Sequence, residues 1–117
     1  LIHPSAKFGK IEMGVGNVIA DGVILQTGVR LGSHNIIHSS TIISHETIIG
    51  NNCLFSVNVT IGSRSMVGDF CHFGISSTTI PELKIMDDCF IGGGAVLINN
   101  LKASSKVFGN PARLLPK

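Results

Sequence analysis

Tryptophan and tyrosine are absent from this 117-residue sequence, charged residues make up only 14% of it, and the formal net charge is +2. So small a charge on so few side chains gives no basic patch of the kind that binds nucleic acid or an anionic membrane surface. The sequence also lacks any run of 18 apolar residues and any opening signal peptide. We therefore expect no nucleic-acid partner, no membrane insertion and a soluble, cytoplasmic protein.

What the sequence has in abundance is a period of six. Counted from Met13, every sixth residue is large and apolar, except for Thr79. The ladder comprises Met13, Ile19, Leu25, Leu31, Ile37, Ile43, Ile49, Phe55, Ile61, Val67, Phe73, Thr79, Ile85, Ile91 and Leu97. Neither a helix, with a period of 3.6, nor an ordinary strand, with a period of 2, keeps this pattern over such a length. A period of six is that of the hexapeptide repeat of a parallel β-helix.

A longer period of eighteen lies within the shorter one, because an apolar-glycine pair recurs at that interval. The pairs are Met13-Gly14, Leu31-Gly32, Ile49-Gly50 and Val67-Gly68. Three hexads therefore make one coil, and each of these glycines suits a corner that needs either a positive φ or a close backbone approach. Coils should stack about 4.8 Å apart, which is the spacing of paired strands.

A second inward column supports this register. The residues two before the ladder positions should also point inward, and at every eighteenth residue they form one column of Asn17, Asn35, Cys53, Cys71 and Cys89. All three cysteines of the chain lie in it. Free core thiols in a reducing compartment are favoured over a disulfide between coils. No CxxC pair or Cys/His cluster is present, so we predict no metal site.

The predicted fold is all-β, a triangular prism of about five full 18-residue coils with a C-terminal tail. The coils are 13–30, 31–48, 49–66, 67–84 and 85–102. Residues 1–102 would form the β-helix domain and residues 103–117 a tail that caps its end. The first coil should be one residue short, because Phe8 and Met13 are only five residues apart. Pro81, which follows Thr79, should produce a bulge or an early end to its strand.

The outward side chains indicate a protein partner. The residues just before the ladder positions form three columns: Val18, Ile36, Leu54, His72 and Phe90; Ile24, Ile42, Thr60, Thr78 and Val96; and Glu12, Arg30, Ile48, Met66 and Lys84. The first two columns are mainly apolar although they point away from the core, which indicates an interaction surface. Two different faces that meet make a heterologous contact, and with a triangular cross-section this contact closes as a ring of three. We predict a homotrimer that uses two faces of each subunit.

Several segments resemble the hexapeptide-repeat acyltransferases, and most closely the bacterial nucleotide-sugar N-acetyltransferases of the bacillosamine and sialic-acid type. These segments are "IHPSAKFG", "SHETIIGNN", "CHFGISSTTIPELKIMDDCFIGGGAVL" and "VFGNPARL". The resemblance covers essentially the whole chain. It implies a left-handed β-helix that acts as a trimer and transfers acetyl from acetyl-CoA, as co-substrate and without a metal, to a nucleotide-linked amino sugar or another sugar acceptor.

The resemblance also implies roles for individual residues. His45, in a His-acidic pair with Glu46, falls on the family's general base, and histidine suits this task because it titrates near working pH. The cofactor contacts fall on Leu54, Ile75 and Gly93. Two positions depart from the pattern: Leu54 replaces a second histidine, and His38, a candidate acceptor contact, replaces an asparagine.

The spacing of the first two groups bears on the assembly. His45 and Leu54 are nine residues apart, which is half a coil, so they should lie on opposite sides of one prism. They cannot then share a site within one subunit. If both serve catalysis, the pocket lies between subunits, with His45 from one and Leu54, Ile75 and Gly93 from its neighbour.

Alternatives remain open at this point. One is a sugar O-acetyltransferase, and another is a β-helix scaffold without chemistry. A γ-class carbonic anhydrase is excluded, because no two histidines are separated by a multiple of eighteen as its zinc site requires. Related enzymes carry an N-terminal sugar-binding domain, and this chain begins at Leu1 without an initiator methionine. We therefore expect either an isolated catalytic domain or an acceptor that is smaller or differently held.

Overall fold

The structure is a computed structural model, and it describes residues 1–115. All regular structure in this range consists of strands of two or three residues. In chain order the strands are β1 (Lys7–Phe8), β2 (Glu12–Met13), β3 (Val18–Ile19), β4 (Ile24–Leu25), β5 (Arg30–Leu31), β6 (Ile36–Ile37), β7 (Ile42–Ile43), β8 (Ile48–Ile49), β9 (Leu54–Phe55), β10 (Thr60–Ile61), β11 (Met66–Val67), β12 (His72–Phe73), β13 (Thr78–Thr79), β14 (Lys84–Ile85), β15 (Phe90–Ile91), β16 (Val96–Leu97), β17 (Lys106–Phe108) and β18 (Arg113–Leu114). No helix in the described range could cross a membrane.

Every third strand joins the same sheet, so the chain winds around three sheets. Sheet A contains β3, β6, β9, β12, β15, β17 and β18; sheet B contains β1, β4, β7, β10, β13 and β16; and sheet C contains β2, β5, β8, β11 and β14. The strands of successive coils are parallel with an 18-residue register, as in the pairing of Ile36 with Leu54. The prism measures 41 × 22 × 20 Å. This confirms the all-β solenoid, and its topology fits a left-handed β-helix.

The first coil is one residue short, as predicted. Lys7 pairs with Ile24, and Ile2 bridges to Ile19, so both registers are 17 residues instead of 18. At the other end, β17 continues sheet A in parallel with β15, and β18 turns back antiparallel to β17. The tail expected over 103–117 extends two residues beyond the described range.

The ladder forms the core, because each of its side chains points into the prism. From Ile19 to Leu97 every ladder residue is buried, and only Met13, in the N-terminal coil, is partly exposed. Phe55 and Phe73 stack one coil apart, with ring centroids 4.9 Å apart and planes inclined by 7°. Parallel coils in register place identical positions on top of one another, so a single side-chain type can continue through several layers.

The second inward column is buried as well, and its polar groups are all satisfied. The Oδ1 of Asn35 accepts the backbone N–H of Cys53 at 2.8 Å, and its Nδ2 donates to the Gly50 carbonyl at 3.0 Å. The three thiols are free and buried. Each donates to a carbonyl of the next coil, as Cys89 Sγ does to Lys102 O at 3.2 Å. Burial raises the pKa of Cys89, which keeps it a thiol.

Replacing Asn35 with alanine should lower the free energy of unfolding by about 1–3 kcal/mol, because it strands a buried N–H and a buried carbonyl. Denaturant unfolding measures this difference. Asn99 is exposed, and its alanine variant should change stability by less than about 0.5 kcal/mol. Equal stabilities for the two variants would mean that the Asn35 hydrogen bonds contribute nothing net.

The corners show which explanation of the paired glycines is right. The left-handed residues lie three positions after the ladder, at every sixth residue from Gly16 to Gly94, and most of them are not glycine; Phe70, for example, has φ 58°. Gly50 and Gly68 are needed for close approach instead. A Cβ on Gly50 would overlap Asp69 Oδ1, which accepts the Asn51 N–H.

The coil that contains Thr79 and Pro81 departs from the prediction. Strand β13 keeps its two residues, and Pro81 takes an ordinary turn position, so the expected early end of the strand is wrong. The disturbance is local. Only Thr78 pairs with β10, and the Gly62 N–H donates to the Thr79 hydroxyl at 3.0 Å. The threonine therefore supplies from its side chain an acceptor that its neighbours supply from the backbone.

The three outward columns predicted from the sequence each occupy one sheet. The first column lies on sheet A, the second on sheet B and the third on sheet C. Sheet C carries the ion pair between Arg30 and Glu12, with 3.4 Å between Nε and Oε2. Ile36 on sheet A is 41% exposed in the single chain. Apolar side chains on a sheet exterior remain to be covered.

Candidate active site

His45 and Glu46 lie at the corner between sheets B and C, in the turn that joins β7 to β8, and both are exposed. The backbone here is fixed from both neighbouring coils. The His45 N–H donates to Gln26 Oε1 at 3.0 Å, and the His45 carbonyl accepts the Arg64 N–H at 3.0 Å. Glu46 has φ 61°, and its N–H donates to the Thr27 carbonyl at 3.1 Å. The corner thus presents the imidazole to the outside from a well-defined backbone.

The imidazole of His45 has one side-chain partner in the described range, and it is Arg64. Arg64 Nη1 lies 3.3 Å from His45 Nε2. The guanidinium also reaches Glu82, with 3.5 Å between Nε and Oε2. No hydrogen bond within residues 1–115 joins the Glu46 carboxylate to the ring, so the orienting role of Glu46 remains a prediction.

Ile75 and Gly93 lie together at the corner between sheets A and B, one coil apart. The Gly94 N–H donates to the Ile75 carbonyl at 2.8 Å, and a Cβ on Gly93 would lie 3.2 Å from Ile75 Cγ2. Ile75 is 58% exposed, and Gly93 is exposed as well. His38 lies on the same corner two coils earlier, exposed, with its N–H bonded to the Phe55 carbonyl at 2.9 Å. This corner therefore offers an open strip of small and apolar residues along the prism.

Leu54 occupies a different position, in β9 at the middle of sheet A, where it is half-buried between Ile36 and His72. The His72 ring packs edge-on against Phe90, with centroids 4.9 Å apart. His72 thus lies within a row of apolar and aromatic side chains.

The candidate residues fall into separate groups in the single chain. Sheet B, one full side of the prism, lies between His45 on its far corner and Ile75 and Gly93 on its near corner, while Leu54 lies on sheet A. Only Ile75 and Gly93 are brought into contact. The half-coil argument therefore describes the chain correctly, and one subunit does not contain all the candidate groups in one pocket.

The concave regions of the single chain lie elsewhere. One, of about 180 Å³, is lined by Ile48, Met66 and Met86 on sheet C; a second, of about 320 Å³, by Lys10 and Glu12 among others; and a third, of about 590 Å³, by Lys102–Lys106 and Leu114–Leu115. None of the three includes His45 or the corner with Ile75. Nor do three or more His, Cys, Asp or Glu side chains converge as a metal-binding group anywhere in residues 1–115.

Sequence reasoning missed Arg64 and Gln26, the two side chains that contact His45. A signal was available for Arg64, because it is eighteen residues after Glu46 and so lies directly above it on the same corner. The period gives the layer but not the direction in which a long side chain points. The contact with Nε2 is visible only in the structure.

No protein-family model matches the sequence, and no curated protein matches it either. Solved structures do match. The acetyltransferase domain of PglB from Neisseria gonorrhoeae FA1090, also solved in complex with acetyl coenzyme A, superposes with a TM-score of 0.94 at 21% identity, over 98% of this chain and 57% of that one. AntD, an N-acyltransferase from Bacillus cereus solved with dTDP and coenzyme A, gives 0.92 at 18% identity, over 98% and 78%.

A third match is the GDP-perosamine N-acetyltransferase of Caulobacter crescentus, solved with CoA and GDP-perosamine. It gives a TM-score of 0.63 at 24% identity, over 99% of this chain and 56% of that one. The chain thus spans a little over half the length of two of these structures. At such identities the likeness establishes a shared fold. The predicted resemblance to hexapeptide-repeat acyltransferases is confirmed at the level of the β-helix.

Proposed function

We propose that this chain is an acetyl-CoA-dependent acetyltransferase that acts on the amine of a nucleotide-linked amino sugar. The observation that carries the proposal is the superposition of 98% of the chain on an acetyltransferase domain that binds acetyl coenzyme A. The exposed His45, in the "SHETIIG" segment, supplies a group suited to proton transfer.

The chemistry asks little beyond a base and an oxyanion donor. His45 Nε2 takes a proton from the acceptor amine as its nitrogen bonds to the thioester carbonyl carbon. The resulting oxyanion is stabilised by backbone N–H groups at a corner. Its collapse forms the amide and breaks the C–S bond, and the departing CoA thiolate takes up the proton from His45. Neither a metal nor a redox partner is needed.

The proposed assembly is a homotrimer, because the groups lie on different sides of one prism. Sheet A of one subunit and the edge of sheet B of the next would form the walls of a groove. Leu54, Ile75 and Gly93 of the first subunit would contact the cofactor, and His45 of the second would face its thioester. The apolar outer columns of sheets A and B support this arrangement, since contact between copies would cover them.

Two further residues complete the proposal. Glu46, next to His45, would orient the imidazolium once it has formed, after a small movement of its exposed side chain. His38 would contact the acceptor sugar, because it lies on the corner with Ile75 and Gly93, two coils away along the axis. Its imidazole offers a donor and an acceptor where a hydroxyl-rich ligand needs both.

The proposal is tested by mixing the protein with acetyl-CoA and a set of nucleotide-linked amino sugars, with the matching hydroxyl sugars alongside. We expect CoA release that depends on an amino sugar, and mass spectrometry should show one added acetyl group on its nitrogen. Transfer only to the hydroxyl sugars would favour the O-acetyltransferase alternative. CoA release at the same rate with and without any acceptor would contradict the proposal and leave the scaffold.

A further inference from the structure

The contact between Arg64 and His45 fixes which ring nitrogen carries the proton. A guanidinium has only donors and stays charged at any pH at which a protein is folded. Because Arg64 Nη1 lies 3.3 Å from Nε2, Nε2 must be the acceptor in this contact. A neutral imidazole has one nitrogen with an available lone pair, so the proton of His45 sits on Nδ1.

This geometry has a consequence for catalysis. The lone pair that accepts from Arg64 is the same lone pair that must remove the acceptor's proton, and it cannot do both at once. The Nη1–H of Arg64 therefore stands where the N–H of the attacking amine has to lie. We propose that Arg64 is a positioning residue, which presets the Nδ1–H tautomer of His45 and covers its basic nitrogen until the acceptor amine displaces the guanidinium. This inference rests on the proposed function.

Displacement is easy in this structure. The Arg64 side chain is 48% exposed, and its second partner, Glu82, is 66% exposed. Exposed ion pairs of this kind are weak, because water competes for both ends. Glu46 and Glu82 lie in the coils on either side of Arg64, in the same corner column. The guanidinium can therefore swing toward Glu82 along the corner without becoming unpaired.

The same column bears on the choice of acceptor. Besides Arg64, the charged groups of this corner nearest His45 are Glu46 and Glu82, so the corner carries more negative than positive charge. An amino sugar arrives as an ammonium, which two carboxylates attract, whereas a hydroxyl gains nothing from them. Arg64 and the acceptor thus compete as two cationic donors for one site.

The first test needs no catalysis. In protein with ¹⁵N-labelled histidine rings, the His45 signals, identified by their loss in His45→Ala, should report the Nδ1–H tautomer. In Arg64→Ala they should shift toward a mixture of tautomers. Arg30→Ala is the matched control, because Arg30 has a similar exposed ion pair, with Glu12, and no contact with His45. His45 signals that are the same in the Arg64→Ala variant and the parent protein would overturn the inference.

The second test separates binding from turnover. If Arg64 competes with the acceptor for Nε2, Arg64→Ala should lower KM for the amino sugar by about 2–5-fold, the effect of one exposed charged contact, with little change in kcat. Arg64→Lys, which keeps a shorter cation, should lie between the variant and the parent. A raised KM, or a kcat reduced tenfold in Arg64→Ala but not in Arg30→Ala, would overturn the inference. A tautomer change without any acetyl transfer would count against the proposed function alone.

Discussion

Replacing His45 with alanine should reduce kcat for acetyl transfer by about 10²–10⁴-fold, which is the usual contribution of a positioned general base. The attacking amine must lose a proton during the reaction, and without the imidazole only water is left to take it. Because His45 is exposed and its side chain supports no core packing, the variant should fold as the parent does. The rate of CoA release at saturating amino sugar measures the loss.

His34 provides the control for this substitution. It too is an exposed corner histidine with a positive φ of 60°, but it lies at the corner between sheets C and A. His34→Ala should retain the parent rate within about twofold, since surface changes away from a site have small effects. If His45→Ala were as active as His34→Ala, the proton would have to be taken by another group.

The second large effect concerns assembly. Ile36→Glu should convert the proposed trimer to monomers and abolish acetyl transfer with it, because the substitution would bury an unpaired carboxylate in the contact between copies. Each groove would lose one of its two walls on dissociation. Light scattering after size-exclusion chromatography gives the mass, and the CoA assay gives the activity of the same fractions.

The chain offers a closely matched control on its third side. Ile48 on sheet C is 39% exposed, against 41% for Ile36 on sheet A, so the two glutamates would differ mainly in which sheet they mark. Ile48→Glu should remain trimeric and active. Monomers from Ile48→Glu, or an active monomer from Ile36→Glu, would show that the faces or the shared groove are wrongly assigned.

The fold was accessible from the sequence because a β-helix repeats one physical constraint many times. A side chain such as Phe55 must fill the same internal position as Phe73, so apolar character recurs at a fixed interval and can be counted. The short first coil was visible for the same reason, from the spacing of Phe8 and Met13. Burial of the Asn35 column followed from the register, and the structure shows how the asparagine amide makes it acceptable.

Other features were not accessible, because they depend on local geometry that composition does not encode. The left-handed corners could not be found from glycine, since residues as large as Phe70 adopt them wherever the coil requires it. The paired glycines proved to answer to a side chain one coil away, as Gly50 does to Asp69. At the site, the period placed His45 on a corner, but the direction of the Arg64 side chain is set by rotamers and could not be counted.

The constant pitch of the winding also limits how such a chain can change in length. An insertion or deletion of eighteen residues adds or removes one storey and leaves every later side chain on its own wall. A change of six would turn everything beyond it by one third of a revolution, moving an outward leucine to the wall where a lysine had been. The 17-residue first turn escapes this rule only because it stands at the end, with no described storey beneath it to be rotated out of line.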